Sequence, residues 1–267
     1  MLFMNIEMLR HPKEKFYRTL CLIFGAIIWT LLLLSTFLSI LIFLIPIALV
    51  LWITGKFFQA SVFGNGVNVN EHQYPEINQI VKESAQRLDL KVLPKTFIIN
   101  AQGMTNALAV KYLTGRYVVL FSDLIDLLWE DDQQKNQIRF VIAHELAHHA
   151  AGHTNFWSNL LMKPAMFIPF LGAAYSRARE LTCDRIAAAL VQDQKACTNA
   201  LISIVSGSRE LITLTNKTAF INQEHQVPSG FGFFQEILSS HPRMTKRVIA
   251  IEAHTNSTLS LNPVEIA

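Results

Sequence analysis

Residues 138–148 read Ile-Arg-Phe-Val-Ile-Ala-His-Glu-Leu-Ala-His, and the fold turns on whether this stretch is a helix. Ile138, Val141 and Ile142 recur at helical spacing, and Asp131 and Asp132 just upstream suit a helix start. On a helix, His144 and His148 are four residues apart and share one face, so two imidazoles can converge on a single metal ion. Glu145 lies about 100° further round, close enough to reach a water on that metal. Zinc takes neutral imidazole nitrogens plus one further ligand, and a catalytic zinc keeps a fourth position open for water. The pentapeptide therefore supplies two ligands and a base, and a third ligand has to come from elsewhere. The competing reading is two core histidines with hydrogen-bonded rings.

One class of zinc protease takes a third histidine from an extended motif. Its glycine would fall on Ala151 and its histidine on Thr154; Gly152 and His153 are each one place out of step, so the spacing excludes that class. Another class takes a glutamate from a second helix. Residues 175–184, Tyr-Ser-Arg-Ala-Arg-Glu-Leu-Thr-Cys-Asp, read as a helix continuing through Ala189, with Glu180 and Asp184 on one face. Glu180 would complete a His₂Glu set, and Asp184 could accept the N–H of a ligating imidazole. Taken alone, the segment reads as a solvated face with Arg177, Arg179 and Arg185; the upstream motif reverses that preference. His149 and His153, on other faces, are expected to have surface or core roles.

With these residues in hand, the chain resembles the integral-membrane zinc metalloproteases of the HtpX and CAAX prenyl protease family. The resemblance rests on His-Glu-Leu-Ala-His at 144–148 with His153 after it, and on the segment 175–184. It rests also on Asn106-Ala107 ahead of a strand-like Arg116–Phe121, and on His241-Pro242 followed by Arg247. It spans about residues 70–254. It implies one Zn²⁺ held by His144, His148 and Glu180, with Glu145 as general base. It further implies that Asn106 and Ala107 lie on a substrate-binding strand, and that His241 or Arg247 donates to the developing oxyanion. Cys183 departs from the family's usual alanine, and the segment between the ligand helices is shorter than in members with two more membrane helices there.

Between Arg18 and Lys56 no charged residue occurs over 37 positions. A single membrane span needs about 20 residues, so this run suits two. Ser35, Thr36 and Ser39 are turn-tolerant positions near its middle, which predicts a tight helical hairpin. The run is far longer than the apolar core of a signal peptide. Arg10, Lys13, Lys15 and Arg18 precede it and place the N-terminus in the cytoplasm, so two spans return the catalytic domain to that side. Cys21, Cys183 and Cys197 do not make a secreted disulfide framework. The expected organisation is a basic cytoplasmic N-terminus over 1–18, a transmembrane hairpin over 19–55 and a metalloprotease domain over 56–267.

The remainder reads as one α+β unit, mainly helical: a zincin-type domain with a small sheet. Helices are expected over Pro75–Leu88, from a Ser122 cap through Trp129, over Ala196–Ser206 and after Pro242; strands are expected over Thr96–Asn100, Ala107–Tyr112 and Arg116–Phe121. The last two form a hairpin around Thr114-Gly115. The apolar segment 156–174, broken by Lys163, Pro164 and Pro169, suits a loop on the bilayer or in the substrate cleft better than a span. Net charge is +3 for 267 residues, and no basic stripe interleaves with aromatics, so nucleic acid is excluded as a partner. Protein or peptide substrates, membrane proteins among them, and the lipid bilayer are the expected partners. Membrane-protein quality control is preferred, with CAAX-type prenyl-peptide processing and a non-catalytic zinc-stabilised membrane scaffold as alternatives. A structural zinc site is closed by four protein ligands and has no use for Glu145, which weighs against the scaffold.

Overall fold

The computed structural model describes residues 4–36, 39, 41–100, 107–112, 115–129 and 135–261. A short helix α1 (Ile6–Leu9) leads into α2 (Pro12–Ser35) and α3 (Leu41–Asn65). Pro12 opens α2 in the first turn, where its missing N–H costs nothing, and the His11 ring accepts from the Lys13 N–H. Two helices, Pro12–Ser35 and the stretch from Ile45 to Asn65, are long and apolar enough to cross a membrane. Ile23, Phe24, Ile27 and Leu31 of α2 are exposed, as are Ile45, Val50 and Trp52 of α3. The helix expected to end near Gly55 continues through Asn65.

After β1 (Val67–Asn68) come α4 (Pro75–Arg87), β2 (Lys95–Ile99), β3 (Ala107–Tyr112), β4 (Gly115–Phe121) and α5 (Ser122–Leu128). The sheet order is β1-β2-β4-β3; β2 and β4 run parallel, with Phe97 opposite Val119, and β3 and β4 are antiparallel. Two-residue alternation splits the strands' side chains between two faces. Phe97, Tyr117 and Val119 pack against Phe58 and Val62 of α3, while Ile98, Val118 and Leu120 enter the main core. The expected hairpin is present, and Thr114 of its turn lies outside the described residues. Ser122 is the first residue of α5 rather than its cap; Phe121 holds the cap position because β4 runs directly into the helix.

The His-Glu-Leu-Ala-His stretch lies in α6 (Asn136–Ala150), followed by α7 (Phe156–Met162), a 3₁₀ turn over Ala165–Phe167 and α8 (Leu171–Val191). Asp131 and Asp132 lie outside the described residues. Most of α6 is buried, from Gln137 through Ala147, because α4, α8, α9 (Gln194–Ser206) and β3 surround it. A helix enclosed on all sides has no polar face to show, which explains why apolar residues extend beyond one stripe. Beyond α9 lie α10 (Arg209–Leu214), α11 (Lys217–Asn222), a 3₁₀ turn over Gln223–Gln226, α12 (Ser229–Leu238) and α13 (Met244–Leu261). The fold is mainly helical α+β with a small sheet, as the pattern of apolar periodicities implies.

The apolar segment after α6 packs along α2. Met162 and Ala165 bury against Cys21, with Tyr175 of α8 closing the cluster. The Trp29 indole donates to the Leu160 carbonyl at 3.1 Å. Gly25 allows this approach, since a Cβ there would run into the Leu161 carbonyl oxygen. α2 packs most closely on α8, α7 and the 3₁₀ turn rather than on α3.

Candidate metal centre

α6 and α8 cross so that His144, His148 and Glu180 bring one ligand atom each to within 4.8 Å of one another. His144 Nε2 lies 3.4 Å from Glu180 Oε2, and His148 Nε2 lies 3.5 Å from Glu180 Oε1. The three groups line a cleft of about 310 Å³ together with Glu145, His241 and Arg247. Ala107 and Ala109 of β3 form part of its wall. β3 is the outer strand of the sheet and so offers an edge along that wall. Asn106 lies outside the described residues. None of the residues 156–174 lines this cleft, so the expectation of a loop there is not met: the segment forms α7, the 3₁₀ turn and the start of α8, and packs beside the apolar helix α2.

The outer partners of His144 follow from one helical turn of α8. Asp184 Oδ1 is 3.0 Å from His144 Nδ1. If the ring's N–H points to this carboxylate, its Nε2 lone pair faces Glu180 and the cleft. Arg247 on α13 grips the same carboxylate with Nε at 2.8 Å from Oδ2 and Nη2 at 2.7 Å from Oδ1. This two-point clasp ties Arg247, which the resemblance offered as an oxyanion donor, to Asp184. His241 lies across the cleft, with Nδ1 3.3 Å from Glu180 Oε2 and its side chain 66 % exposed.

The carboxylates of Glu180 and Asp184 give the cleft a negative flank against its imidazoles. Burial works against charging His144, yet its contacts with Asp184 and Glu180 push it up to about 10. Burial, then the neighbouring His144, hold His148 well below the ordinary histidine value. Burial opposes the charge on Glu180, but hydrogen bonds from His144 and His241 hold its carboxyl well below the usual range. Asp184 is likewise lowered against its burial, by the Arg247 guanidinium. Glu145 behaves in the opposite way: burial raises its carboxyl, partly countered by His144 and by a hydrogen bond from the Ala109 backbone. Two carboxylates in one cleft are thus driven apart in proton affinity, the arrangement that separates a ligand from a base.

His153, expected on the surface or in the core, is buried against the site: its Nδ1 lies 3.1 Å from His148 Nδ1. Its Nε2 lies 3.1 Å from Glu14 Oε1 on α2. Arg10, read from the sequence only as a positive charge ahead of the apolar run, forms a buried ion pair there with Glu14. His149 is also buried and pairs with Thr154 at 3.0 Å. Cys183 sits 3.5 Å from His153 Nδ1, and burial pushes its thiol well above the ordinary value.

The chain belongs to peptidase family M48, whose model matches residues 71–167 and 156–255. A relative named plastoglobule-localized metallopeptidase 48, chloroplastic, from Arabidopsis thaliana, is 27 % identical over 176 residues. That match covers 60 % of this chain and 48 % of the relative, so the chain spans about half the length of the curated protein it resembles.

Proposed function

We propose that this protein is a membrane-anchored zinc metalloendopeptidase, with His144, His148 and Glu180 as ligands and Glu145 as general base. The observation that carries the reading is the spacing of the donor atoms. Ligands about 2.0–2.1 Å from a tetrahedral zinc stand about 3.3 Å apart; here His144 Nε2 is 3.4 Å from one Glu180 oxygen and His148 Nε2 is 3.5 Å from the other, so the carboxylate faces both imidazoles. Two neutral imidazoles and one carboxylate are also a zinc peptidase's donor set, and no fourth protein ligand joins them among the described residues. When bound, zinc lowers the pKa of a water ligand toward 7 and polarises the scissile carbonyl.

The protein's own groups do the rest. Glu145, raised by burial and held by the Ala109 N–H, accepts the attacking water's proton and passes it to the leaving amine. Asp184, clasped by Arg247, orients His144. Because Arg247 is committed to Asp184, His241 is the better donor to the developing oxyanion; its Nε2 has no partner among the described residues. The edge of β3, beginning at Ala107 and including Ala109, binds substrate backbone by strand addition, with Asn106 preceding it.

The membrane reading rests on α2 and α3, with residues 1–18 as a cytoplasmic N-terminus, the 19–55 run crossing twice and the 56–267 domain returning to the cytoplasmic side. Substrates are proteins or peptides presented at the bilayer, membrane proteins foremost. Glu180→Ala tests the ligand set: elemental analysis of the purified, folded variant should show zinc largely lost. Full occupancy would place the third ligand elsewhere.

A further inference from the structure

We infer that His153 and Glu14 form a positioning relay for the ligand His148, making the start of α2 part of the metal centre. This rests on the ligand assignment proposed above. The relay originates in the way α6 ends. Ala151 caps the helix, Gly152 adopts φ +78°, and the chain turns back. The His153 N–H reaches the His148 carbonyl at 2.9 Å and the Gly152 N–H reaches that of His149 at 3.3 Å. These are the paired bonds of a Schellman motif, which brings the side chain two places past the cap onto the one three places before it. In most helices that contact is apolar. Here it joins His153 to His148.

Donor and acceptor counting fixes the protons. His148 offers Nε2 toward Glu180, so its Nδ1 carries hydrogen, and that N–H needs an acceptor. The atom at 3.1 Å is His153 Nδ1, which must then be unprotonated. The remaining hydrogen of His153 is on Nε2 and points to Glu14 Oε1 at 3.1 Å. Glu14 has a completely buried side chain and is neutralised by Arg10, whose Nη2 also donates to the Ala151 carbonyl at 3.0 Å. Each ligating histidine therefore leans on a carboxylate held by an arginine: His144 directly on Asp184 and Arg247, His148 through His153 on Glu14 and Arg10. The second arm reaches across to α2, 139 residues away in sequence.

His148, His153 and Cys183 also have ligand atoms within 4.8 Å of one another. A second ion there would need both nitrogens of His148 at once, so the relay predicts one zinc per chain.

The test is zinc affinity of the full-length protein by competition with a chelator, alongside elemental analysis and far-ultraviolet circular dichroism. His153→Leu removes the acceptor and should weaken zinc about 10- to 100-fold, the usual effect of losing a ligand's hydrogen-bond partner. His153→Asn restores an acceptor toward His148 and should recover part of the loss. Wild-type affinity in a folded His153→Leu chain, or two zinc ions per wild-type chain, would overturn the relay. Wild-type affinity in Glu14→Gln would remove Glu14 from it. If His153→Leu does not fold, long-range ¹H–¹⁵N spectra of the zinc-loaded wild type decide: hydrogen on His153 Nε2 supports the relay, and hydrogen on Nδ1 overturns it. His148→Ala separates the two levels. Undiminished zinc in that variant overturns the ligand assignment itself, whereas lost zinc there with normal zinc in His153→Leu overturns only the relay.

Discussion

Arg247 holds Asp184 with two hydrogen bonds, and Asp184 holds His144 with one. A lysine keeps the charge but cannot make the planar two-point contact. Arg247→Lys should therefore weaken zinc binding by about 10-fold and lower kcat/KM with it, read by chelator competition and peptide cleavage. If Arg247 instead served mainly as an oxyanion donor, kcat would fall while zinc affinity stayed put. Much of the candidate site was legible in the sequence because a helix turns positions i and i+4 into neighbours, so His144 with His148, and Glu180 with Asp184, could be paired without a structure. His153 was not legible in that way, because its position depends on a left-handed residue after the helix. The signal was present in Gly152-His153: a glycine just past a helix end predicts the turn that returns the next side chain to His148.

Among the elements, α7 and the 3₁₀ turn are fixed to α2 through a close backbone approach at Gly25. Gly25→Ala should cost about 1–3 kcal/mol through overpacking and lower the thermal midpoint in detergent. An unchanged midpoint would mean that this contact is not formed. The apolar character of 156–174 was readable, but not its partner, since two apolar surfaces carry no address. The loop ahead of α13 depends on charge instead. Glu224 accepts from Arg243 Nε at 3.2 Å and Nη2 at 2.6 Å, and from Thr245 at 2.5 Å. The Arg243 contact holds the Glu224 carboxyl below the ordinary value of 4.5. A lowered carboxyl stabilises the fold above its unfolded pKa and loses that contribution as pH falls through its folded value. Wild-type stability should therefore drop below about pH 4.5 more steeply than that of Glu224→Gln, measured by denaturant unfolding. Parallel curves would sink this account of the loop.

For the whole molecule, the helical spacing of Ile138, Val141 and Ile142 and the hairpin around Thr114-Gly115 made an α+β fold legible, while the sheet order was not. Two-residue β1 carries no periodicity, and nothing local to β2 announces that its neighbour is β4 rather than β3. The uncharged run from 19 to 55 signalled two long apolar helices, yet α2 packs most closely on α8, where Cys21 buries against Tyr175. Two crossings predict that a cysteine placed at Asn65 is labelled by an impermeant reagent from the same side as one placed at Lys13. Labelling from opposite sides would mean one crossing. In the zinc peptidase proposed above, Glu145 moves the proton and does not hold the metal. That assignment is tested most directly by measuring zinc content and peptide cleavage on one purified preparation of Glu145→Gln. One zinc per chain and cleavage reduced by several orders of magnitude are expected; cleavage near the wild-type rate would contradict Glu145 as the base.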